Sequence, residues 1–232
     1  MTIRSVPAPN SHHLFTVKSR RLSEAGYECV YLHAHHLLPM TSTVIVDDQE
    51  VEISNGRREN ARAWFMYSEK DYSDASMALK EVKMNYHGID TSISQIRDYL
   101  DLEVDGDCAI LGFSQGSTFC HMLSVLAHHA KQSDHIDPFI LPFAKIKKAI
   151  LISGFSHMHQ YPLVSCLRDT TKNGIHLQSL HIYGEGDTSV PMRYSEELAK
   201  CFVKPEAYVH EKCHFIPHNA PLIERVLEFL NK

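Results

Sequence analysis

Residues 108–119 read Cys-Ala-Ile-Leu-Gly-Phe-Ser-Gln-Gly-Ser-Thr-Phe, and this stretch decides the fold. The run 108–111 is short, continuous and apolar, which predicts a strand buried on both faces of a parallel sheet. The pattern Gly-x-Ser-x-Gly follows at once in residues 112–116, and residues 119–130 predict a helix. A strand, a sharp turn between glycines and a helix are together typical of a nucleophile elbow, with Ser114 at its tip.

The two glycines that flank Ser114 have a steric explanation. A sharp strand-to-helix turn brings Gly112 and Gly116 close to neighbouring backbone, so neither position accommodates a Cβ. The same turn lifts the serine hydroxyl out of the sheet and places the first N–H groups of the helix, including that of Gln115, beside it. We therefore expect Ser114 to be a nucleophile and the Gln115 N–H to hold part of an oxyanion.

A serine nucleophile needs a histidine base and a carboxylate that orients it, in the chain order serine, acid, histidine for this architecture. Asp187 follows a predicted strand at 180–183 and precedes a predicted helix, so we expect it at the carboxyl edge of the sheet. A helix-capping role explains this aspartate equally well, and Glu185 is a rival acid. His214 lies between the last predicted strand and the final helix, where a base can enter the site from a loop.

Other reactive side chains have less support from the sequence. Cys213 is interpreted as a bystander because no elbow presents its thiol, and His210, on the last predicted strand, is interpreted as structural support. The tightest histidine cluster is His33, His35 and His36. It lacks the aspartate of the spacing His-x-His-x-Asp-His that a dinuclear hydrolase needs, so a metal-dependent hydrolase is the distant alternative. We expect no metal and no other cofactor.

The rest of the chain alternates short apolar runs with amphipathic stretches, as in a parallel sheet covered by helices. The predicted strands are 28–32, 108–111, 149–153, 180–183 and 207–209, and the predicted helices are 73–86, 90–100, 119–130, 194–202 and 222–230. Residues 39–63 predict a long surface excursion, and residues 155–177 predict a second loop. No linker or repeat divides the sequence, so we expect a single α/β domain over residues 1–232, with helices on both faces of a mostly parallel sheet.

Composition excludes several classes of function. The chain has 232 residues, of which 23 are Lys or Arg and 28 are Asp or Glu, and its net charge is −5. This balance offers no basic surface to nucleic acid or to an anionic membrane. No apolar run approaches the roughly 18 residues that a membrane span needs, and the N-terminus lacks the apolar core of a signal peptide. Six scattered cysteines predict free thiols in a reducing compartment, so we expect a cytoplasmic protein, with the nucleus as the additional compartment to test.

Five stretches of the chain form a recognisable set: 62–69, 111–116, 150–155, 180–191 and 210–217. Together they resemble the family serine hydrolases, a group of α/β-hydrolases. The resemblance implies an α/β-hydrolase fold with Ser114 as nucleophile, Asp187 as acid and His214 as base. It also implies hydrolysis of small-molecule carboxylic esters or thioesters, often with long acyl chains.

Two departures from the family pattern qualify that expectation. Members usually open with an apolar strand ending in Leu-His-Gly, whose loop donates a second oxyanion N–H, but the first glycine of this chain is Gly26. Residues 15–19 resemble the family's next helix, so we expect the opening strand to be missing or diverged and the activity to be weakened. Lys212 and Cys213 stand where the family commonly has two glycines before the histidine. The alternative function is therefore a catalytically impaired pseudo-hydrolase that acts as a binding or scaffold module.

Overall fold

The computed structural model of the protein describes residues 2–4, 16–38, 41–46, 49–54, 61–67, 86–132, 137–156, 173–217 and 219–232. The chain divides into two compact units. The larger unit comprises Met1–Leu32 and Ile96–Lys232, and the smaller unit comprises His33–Gln95. All of the candidate catalytic residues belong to the larger unit. The single domain expected over residues 1–232 stays a prediction.

The described elements are numbered along the chain. The strands are β1 (Thr2–Arg4), β2 (Glu28–Val30), β3 (His36–Leu37), β4 (Thr41–Val46), β5 (Gln49–Ser54), β6 (Arg62–Ala63), β7 (Met66–Tyr67), β8 (Tyr86–His87), β9 (Cys108–Phe113), β10 (Ile146–Ile152), β11 (Gln178–Gly184) and β12 (Glu206–His210). The helices are α1 (Thr16–Glu24), α2 (Ile89–Glu103), α3 (Gln115–Gln132), α4 (Met192–Ala199) and α5 (Ala220–Asn231), with a 3-10 helix at Leu141–Lys145. None of these described helices is long and apolar enough to cross a membrane.

A six-stranded sheet in the order β12-β11-β10-β9-β1-β2 forms the centre of the larger unit. The four strands β9 to β12 are parallel, and Ile150 of β10 pairs with Leu111 on one side and Leu180 on the other. Strands β9, β10 and β11 contain buried apolar runs that the sequence predicted, because a strand covered on both faces has no solvent-exposed side. Strand β12, at the edge, alternates half-buried and exposed side chains. Their carboxyl ends meet at one edge, which confirms the predicted α/β fold with a mostly parallel sheet.

Both faces of β11 are covered by other elements of the larger unit. On one face, Ile182 of β11 belongs to the same buried cluster as Leu22 of α1 and Phe229 of α5. On the other face, the ring of His181 lies 5.1 Å from that of Phe202, and His121 of α3 lies 5.8 Å from the same ring, between ring centroids. Successive side chains of β11 therefore alternate between two helical layers, as an α/β sheet requires.

A short strand fills the place where the sequence predicted a missing or diverged opening strand. Strand β1 lies between β2 and β9, and Ile3 pairs with Cys29 and with Ala109. It runs antiparallel to both neighbours, so its carboxyl end lies at the opposite edge of the sheet from the carboxyl ends of β9 to β12. Strand β1 is thus a three-residue antiparallel strand whose carboxyl end lies away from Ser114, and the divergence expected of the opening strand stays a prediction.

The smaller unit differs from the surface excursion expected at residues 39–63. It contains an antiparallel hairpin of β4 and β5, with Thr41 opposite Ser54 and Val46 opposite Gln49, and two further strand pairs, β3 with β6 and β7 with β8. The β-branched residues of this stretch favour strands, but its many acidic residues led to the prediction of a surface loop. The predicted helix at 73–86 lies outside the described residues except for its last position, as does most of the loop predicted at 155–177.

Candidate active site

Ser114 occupies a tight turn between β9 and α3. Its φ is +54°, in the left-handed region that residues other than glycine rarely adopt. The carbonyl of Ser114 accepts hydrogen bonds from the N–H groups of Ser117 (2.9 Å) and Thr118 (3.1 Å), which fold the turn directly into the helix. A Cβ at Gly112 would overlap the backbone of Gly116, and this close approach explains the glycine. Strain of this kind costs about 1–3 kcal/mol and is typical of functional sites.

Gln115 is the first residue of α3, an 18-residue helix. The aligned peptide dipoles of a helix place partial positive charge at its N-terminus, so the Ser114 hydroxyl lies next to a region that favours an anion. The backbone N–H of Ser114 donates to the carbonyl of Ile152 at 2.9 Å, which ties the turn to the neighbouring strand. The position of the serine is therefore set by the sheet and by the helix together.

Asp187 uses its two carboxylate oxygens for different partners. Oδ1 accepts hydrogen bonds from the backbone N–H groups of Ser189 (3.0 Å) and Val190 (2.8 Å), and Oδ2 lies 2.7 Å from Nδ1 of His214. The side chain is fully buried. The carboxylate thus closes a turn with one oxygen and contacts His214 with the other, and the helix-capping role that the sequence left open is wrong. Helix α4 begins only at Met192, so the capped structure is the turn and not the helix.

The pKa of Asp187 is lowered by the polar groups around its carboxylate. Burial is the largest single cause and would raise the pKa of this carboxyl. The Val190 N–H, His214 and the Ser153 hydroxyl favour the charged form, and their combined effect is larger. A carboxyl group with a lowered pKa is an anion at neutral pH, as an orienting acid must be. The rival Glu185 has an exposed side chain, and its backbone N–H donates to the His210 carbonyl at 2.8 Å.

His214 lies on the loop after β12, and its ring packs against Phe113, the residue before Ser114, with 4.7 Å between ring centroids. The Asp187 carboxylate accepts the hydrogen bond at Nδ1. This contact assigns the proton of the neutral ring to Nδ1 and makes Nε2 the basic nitrogen. The side chain is 22% exposed, so the ring is held by the protein and still reaches the surface of the site.

His210 and Lys212 shape the loop that carries the histidine. The Nδ1 atom of His210 accepts a hydrogen bond from the Lys212 N–H at 3.2 Å, and its ring meets that of Phe215 edge to face. Burial lowers the pKa of His210, while the Asp187 charge opposes that change. A Cβ at Gly184 would overlap the Lys212 carbonyl, so strand β11 and this loop are in close contact. Cys213 is exposed.

The histidine cluster of the smaller unit has a structural environment. His36 Nε2 lies 2.7 Å from the Gly88 carbonyl oxygen, and the His35 ring meets the His36 ring edge to face. Among the residues that the structure describes, no group of three or more His, Cys, Asp or Glu side chains is placed to hold a metal ion.

Ser153 is a residue that the sequence analysis did not single out. It directly follows β10, its φ is +46°, and it is fully buried beside Asp187. The signal that could have found it is its position, because Ser114, Ser153 and Asp187 all follow parallel strands at the same edge of the sheet. Polar residues at such strand ends are the usual source of functional groups in α/β proteins.

A mostly parallel sheet, a serine in a strained turn before a helix and an Asp–His pair at the same edge define the α/β-hydrolase class. Residues 10–226 match the family model described as "Serine hydrolase (FSH1)". The chain belongs to this serine hydrolase family.

Relatives of the chain are named as esterases. Esterase OVCA2 of Danio rerio is 24% identical over 225 residues, covering 96% of this chain and 91% of the relative, and Esterase OVCA2 of Homo sapiens is 28% identical over 174 residues, covering 75% and 69%. Esterase AAEL000016 of Aedes aegypti is 30% identical over 125 residues, covering 54% of this chain. That match spans only 40% of the mosquito protein, which is considerably longer.

Parts of the chain also align with solved structures. Acyl-protein thioesterase 2 of Zea mays covers 73% of this chain and 71% of its own length with a TM-score of 0.44 and 14% identity. A predicted CIB-like hydrolase of Thermoplasma acidophilum covers 60% and 58% with a TM-score of 0.42 and 20% identity. Likeness at this level identifies no substrate, and the fold class follows from the sheet itself.

Proposed function

We propose that this protein hydrolyses carboxylic esters or thioesters of small molecules through an acyl-enzyme formed on Ser114. The observation that carries the proposal is the 2.7 Å hydrogen bond between His214 Nδ1 and the buried Asp187 carboxylate, next to the strained Ser114 turn. An imidazole held in this way has one basic nitrogen left, and the turn directs a serine hydroxyl toward the same edge of the sheet. The family membership of the chain and the esterase names of its relatives support the same reaction.

The acylation step uses three side chains. The Ser114 oxygen attacks the carbonyl carbon of the substrate while His214 Nε2 accepts the hydroxyl proton. The charge that develops on His214 is stabilised by Asp187, whose pKa is lowered because the hydrogen bonds to its carboxylate outweigh the effect of burial. The same proton then passes to the leaving alcohol or thiol, and the bond between the acyl carbon and the leaving group breaks.

Negative charge on the carbonyl oxygen falls near the start of α3 in this proposal. The Gln115 N–H is the proposed donor, because it belongs to the first helical residue and the positive end of the helix dipole lies there. Water then attacks the acyl-enzyme with His214 as base, and Ser114 is regenerated with its proton. Each donor of this kind accounts for about 10²- to 10³-fold in kcat.

Labelling by a fluorophosphonate probe tests the proposal, because the probe modifies serines that a base has activated. We expect one adduct, mapped to the peptide that contains Ser114, and loss of labelling in Ser114→Ala and in His214→Ala. Cys213→Ser is the matched control, since it removes the exposed thiol next to the base and leaves the serine and its partners in place. Labelling of the control is expected to equal that of the wild type.

The opposite result has a clear meaning. A folded wild-type protein that leaves Ser114 unmodified would contradict the proposed hydrolase and support the pseudo-hydrolase alternative. Labelling that persists in both Ser114→Ala and His214→Ala would place the reactive group elsewhere in the chain. Hydrolysis of p-nitrophenyl esters of increasing acyl length, with the same variants, then ranks the substrates, with long-chain esters expected to be accepted.

A further inference from the structure

Ser153 is a buried serine at the end of β10 that takes no part in the acylation steps described above. It has no solvent exposure, and its φ of +46° lies in the left-handed region. Glycine adopts this conformation without strain, whereas a residue with a Cβ does not. A serine at such a position needs a reason beyond chain geometry, because glycine would satisfy the geometry at lower cost.

The backbone fixes Ser153 between the two halves of the site. Strand β10 lies between β9, which leads to Ser114, and β11, which leads to Asp187. The Ser153 N–H donates to the Ile182 carbonyl at 2.8 Å, and the Ser114 N–H donates to the Ile152 carbonyl at 2.9 Å. These bonds extend the parallel ladder past the strand ends. Ser153 therefore has a defined place beside the turn that carries Asp187.

The next residue explains the shape of the backbone at this point. A Cβ at Gly154 would overlap the Ser117 side chain of α3, so the chain must leave β10 in close contact with that helix. The left-handed conformation at Ser153 accomplishes this exit. It also determines where the Ser153 side chain points, because the direction of a Cα–Cβ bond follows from φ and ψ.

Asp187 is the candidate partner of the Ser153 hydroxyl among the described residues. It makes no well-formed hydrogen bond with any group in the part of the chain that the structure describes, although it is fully buried. Its interaction with the Asp187 carboxylate nevertheless contributes to the lowered pKa of that carboxyl. The titratable groups that face Asp187 are His214 and, more distantly, His210, both on the chain after β11. A buried hydroxyl is costly without a partner, and a carboxylate is a strong acceptor.

We propose that Ser153 is a positioning residue of this site: its hydroxyl donates to the Asp187 carboxylate and keeps the carboxylate directed at His214. The inference rests on the proposed hydrolase function. Two backbone N–H groups hold Oδ1, and the serine restrains the carboxylate further while His214 binds Oδ2. A donated hydrogen bond also disperses part of the carboxylate charge, which moderates its attraction for the protonated imidazole.

Ser153→Gly separates this role from a structural one. Glycine suits the left-handed conformation, so the variant should be as stable as the wild type or more stable. Loss of a hydrogen bond to a charged group should lower kcat about tenfold while KM changes less than twofold. The acid limb of the kcat/KM profile should move to higher pH by a few tenths of a unit, because an undispersed carboxylate charge holds the imidazole proton more firmly. Thermal unfolding and steady-state kinetics from pH 5 to 8 measure these effects.

Lys204→Gly is the matched control, because Lys204 is exposed and has a similar φ of +57°. It should share any gain in stability and leave kcat and the pH profile unchanged. Ser153→Ala is the second variant, and it should show the same kinetic loss as Ser153→Gly with a less stable fold. Wild-type kinetics in a folded Ser153→Gly or Ser153→Ala protein would overturn the inference and leave the hydrolase proposal intact. Absence of fluorophosphonate labelling on wild-type Ser114 would overturn both.

Discussion

At the scale of one residue, the carboxylate of Asp187 both closes a turn and contacts the proposed base. One oxygen closes the turn after β11 and the other holds His214, so a change that keeps the turn and alters the histidine contact isolates the second role. Asp187→Asn is such a change. Because an amide can donate where the carboxylate accepts, it favours the wrong tautomer of His214, and kcat should fall by about 10⁴-fold with little change in KM.

Steady-state ester hydrolysis measures the effect of Asp187→Asn, and circular dichroism checks that the variant is folded. Glu185→Gln is the control, because Glu185 is the exposed acidic side chain of the same turn. It should retain activity within about twofold of wild type, as surface substitutions usually do. A larger loss in Glu185→Gln than in Asp187→Asn would transfer the role of the acid to Glu185.

The proposed base at His214 also predicts how activity depends on pH. Nε2 must be unprotonated to accept the serine proton, because a protonated imidazole has no free lone pair to receive it. We therefore expect kcat/KM to decrease as the pH is lowered, by tenfold for each pH unit once the base is mostly protonated. The measurement is the initial rate of hydrolysis from pH 5 to 8 in overlapping buffers. The substrate is a neutral ester that has no group titrating in this range. A flat profile would mean that His214 is not the base.

The roles of single residues could be predicted from the sequence only where a pattern marks them. Gly-x-Ser-x-Gly between an apolar run and a helix marks Ser114, and the order of serine, acid and histidine limits the other candidates. Ser153 carries no such mark. Its place beside Asp187 depends on the pairing of β10 with β11 and on a left-handed φ, and neither follows from local residue preferences.

At the scale of elements, the sheet is tied to the last helix by a lysine. Lys148 of β10 donates from Nζ to the carbonyls of Phe229 (3.1 Å) and Leu230 (2.6 Å), at the C-terminal end of α5. The last carbonyls of a helix lack partners within the helix, and a cation is favoured there. Lys148→Met removes the donor and keeps the aliphatic stem, and we expect the free energy of unfolding to fall by about 1–2 kcal/mol.

Urea denaturation compares Lys148→Met with Lys147→Met. Lys147, the next residue along the strand, makes a 3.4 Å ion pair with an exposed Asp107, and such surface pairs contribute little. The control should differ from wild type by less than about 0.5 kcal/mol. Equal losses in the two variants would mean that the contact with α5 adds no stability of its own.

Elements were predictable where burial dictates the pattern. The buried apolar runs of β9, β10 and β11 reflect coverage of the sheet on both faces, whereas β12, at the edge of the sheet, alternates half-buried and exposed side chains. The hairpin of β4 and β5 has no such run, and its acidic residues suggested a loop. The direction of β1 could not be predicted, because residues 2–4 suit a parallel and an antiparallel strand equally and only their pairing decides.

At the scale of the whole molecule, two buried histidines make stability depend on pH. His121 and His181 lie between α3 and β11, and burial lowers the pKa of each to about 3, with His181 also lowering that of His121. The unfolded chain takes up protons near pH 6.5, whereas the folded protein resists them down to about pH 3. The contribution of these two neutral histidines to the free energy of unfolding is therefore fully present above pH 6.5. It is lost as the pH falls below 6.5, by up to about 1.4 kcal/mol per pH unit for each histidine.

His121→Phe tests this dependence, because it keeps an aromatic ring beside Phe202 and removes one titrating group. The free energy of unfolding is measured in urea at pH 7, 6 and 5. It should decrease less steeply with falling pH in the variant than in the wild type, and the difference in slope should correspond to about one proton. His33→Gln is the control, since His33 is exposed. A slope as steep in His121→Phe as in the wild type would show that other groups cause the acid sensitivity.

The central claim is that the chain hydrolyses esters through an acyl group on Ser114, and trapping that intermediate tests it most directly. The wild-type protein is mixed with a long-chain p-nitrophenyl ester, quenched in acid within the first turnover and digested for peptide mass spectrometry. We expect the acyl mass on the peptide that contains Ser114, together with a stoichiometric burst of p-nitrophenol, and neither in Ser114→Ala. Turnover of the ester with Ser114 unmodified, or with the acyl group on Cys213, would contradict the account.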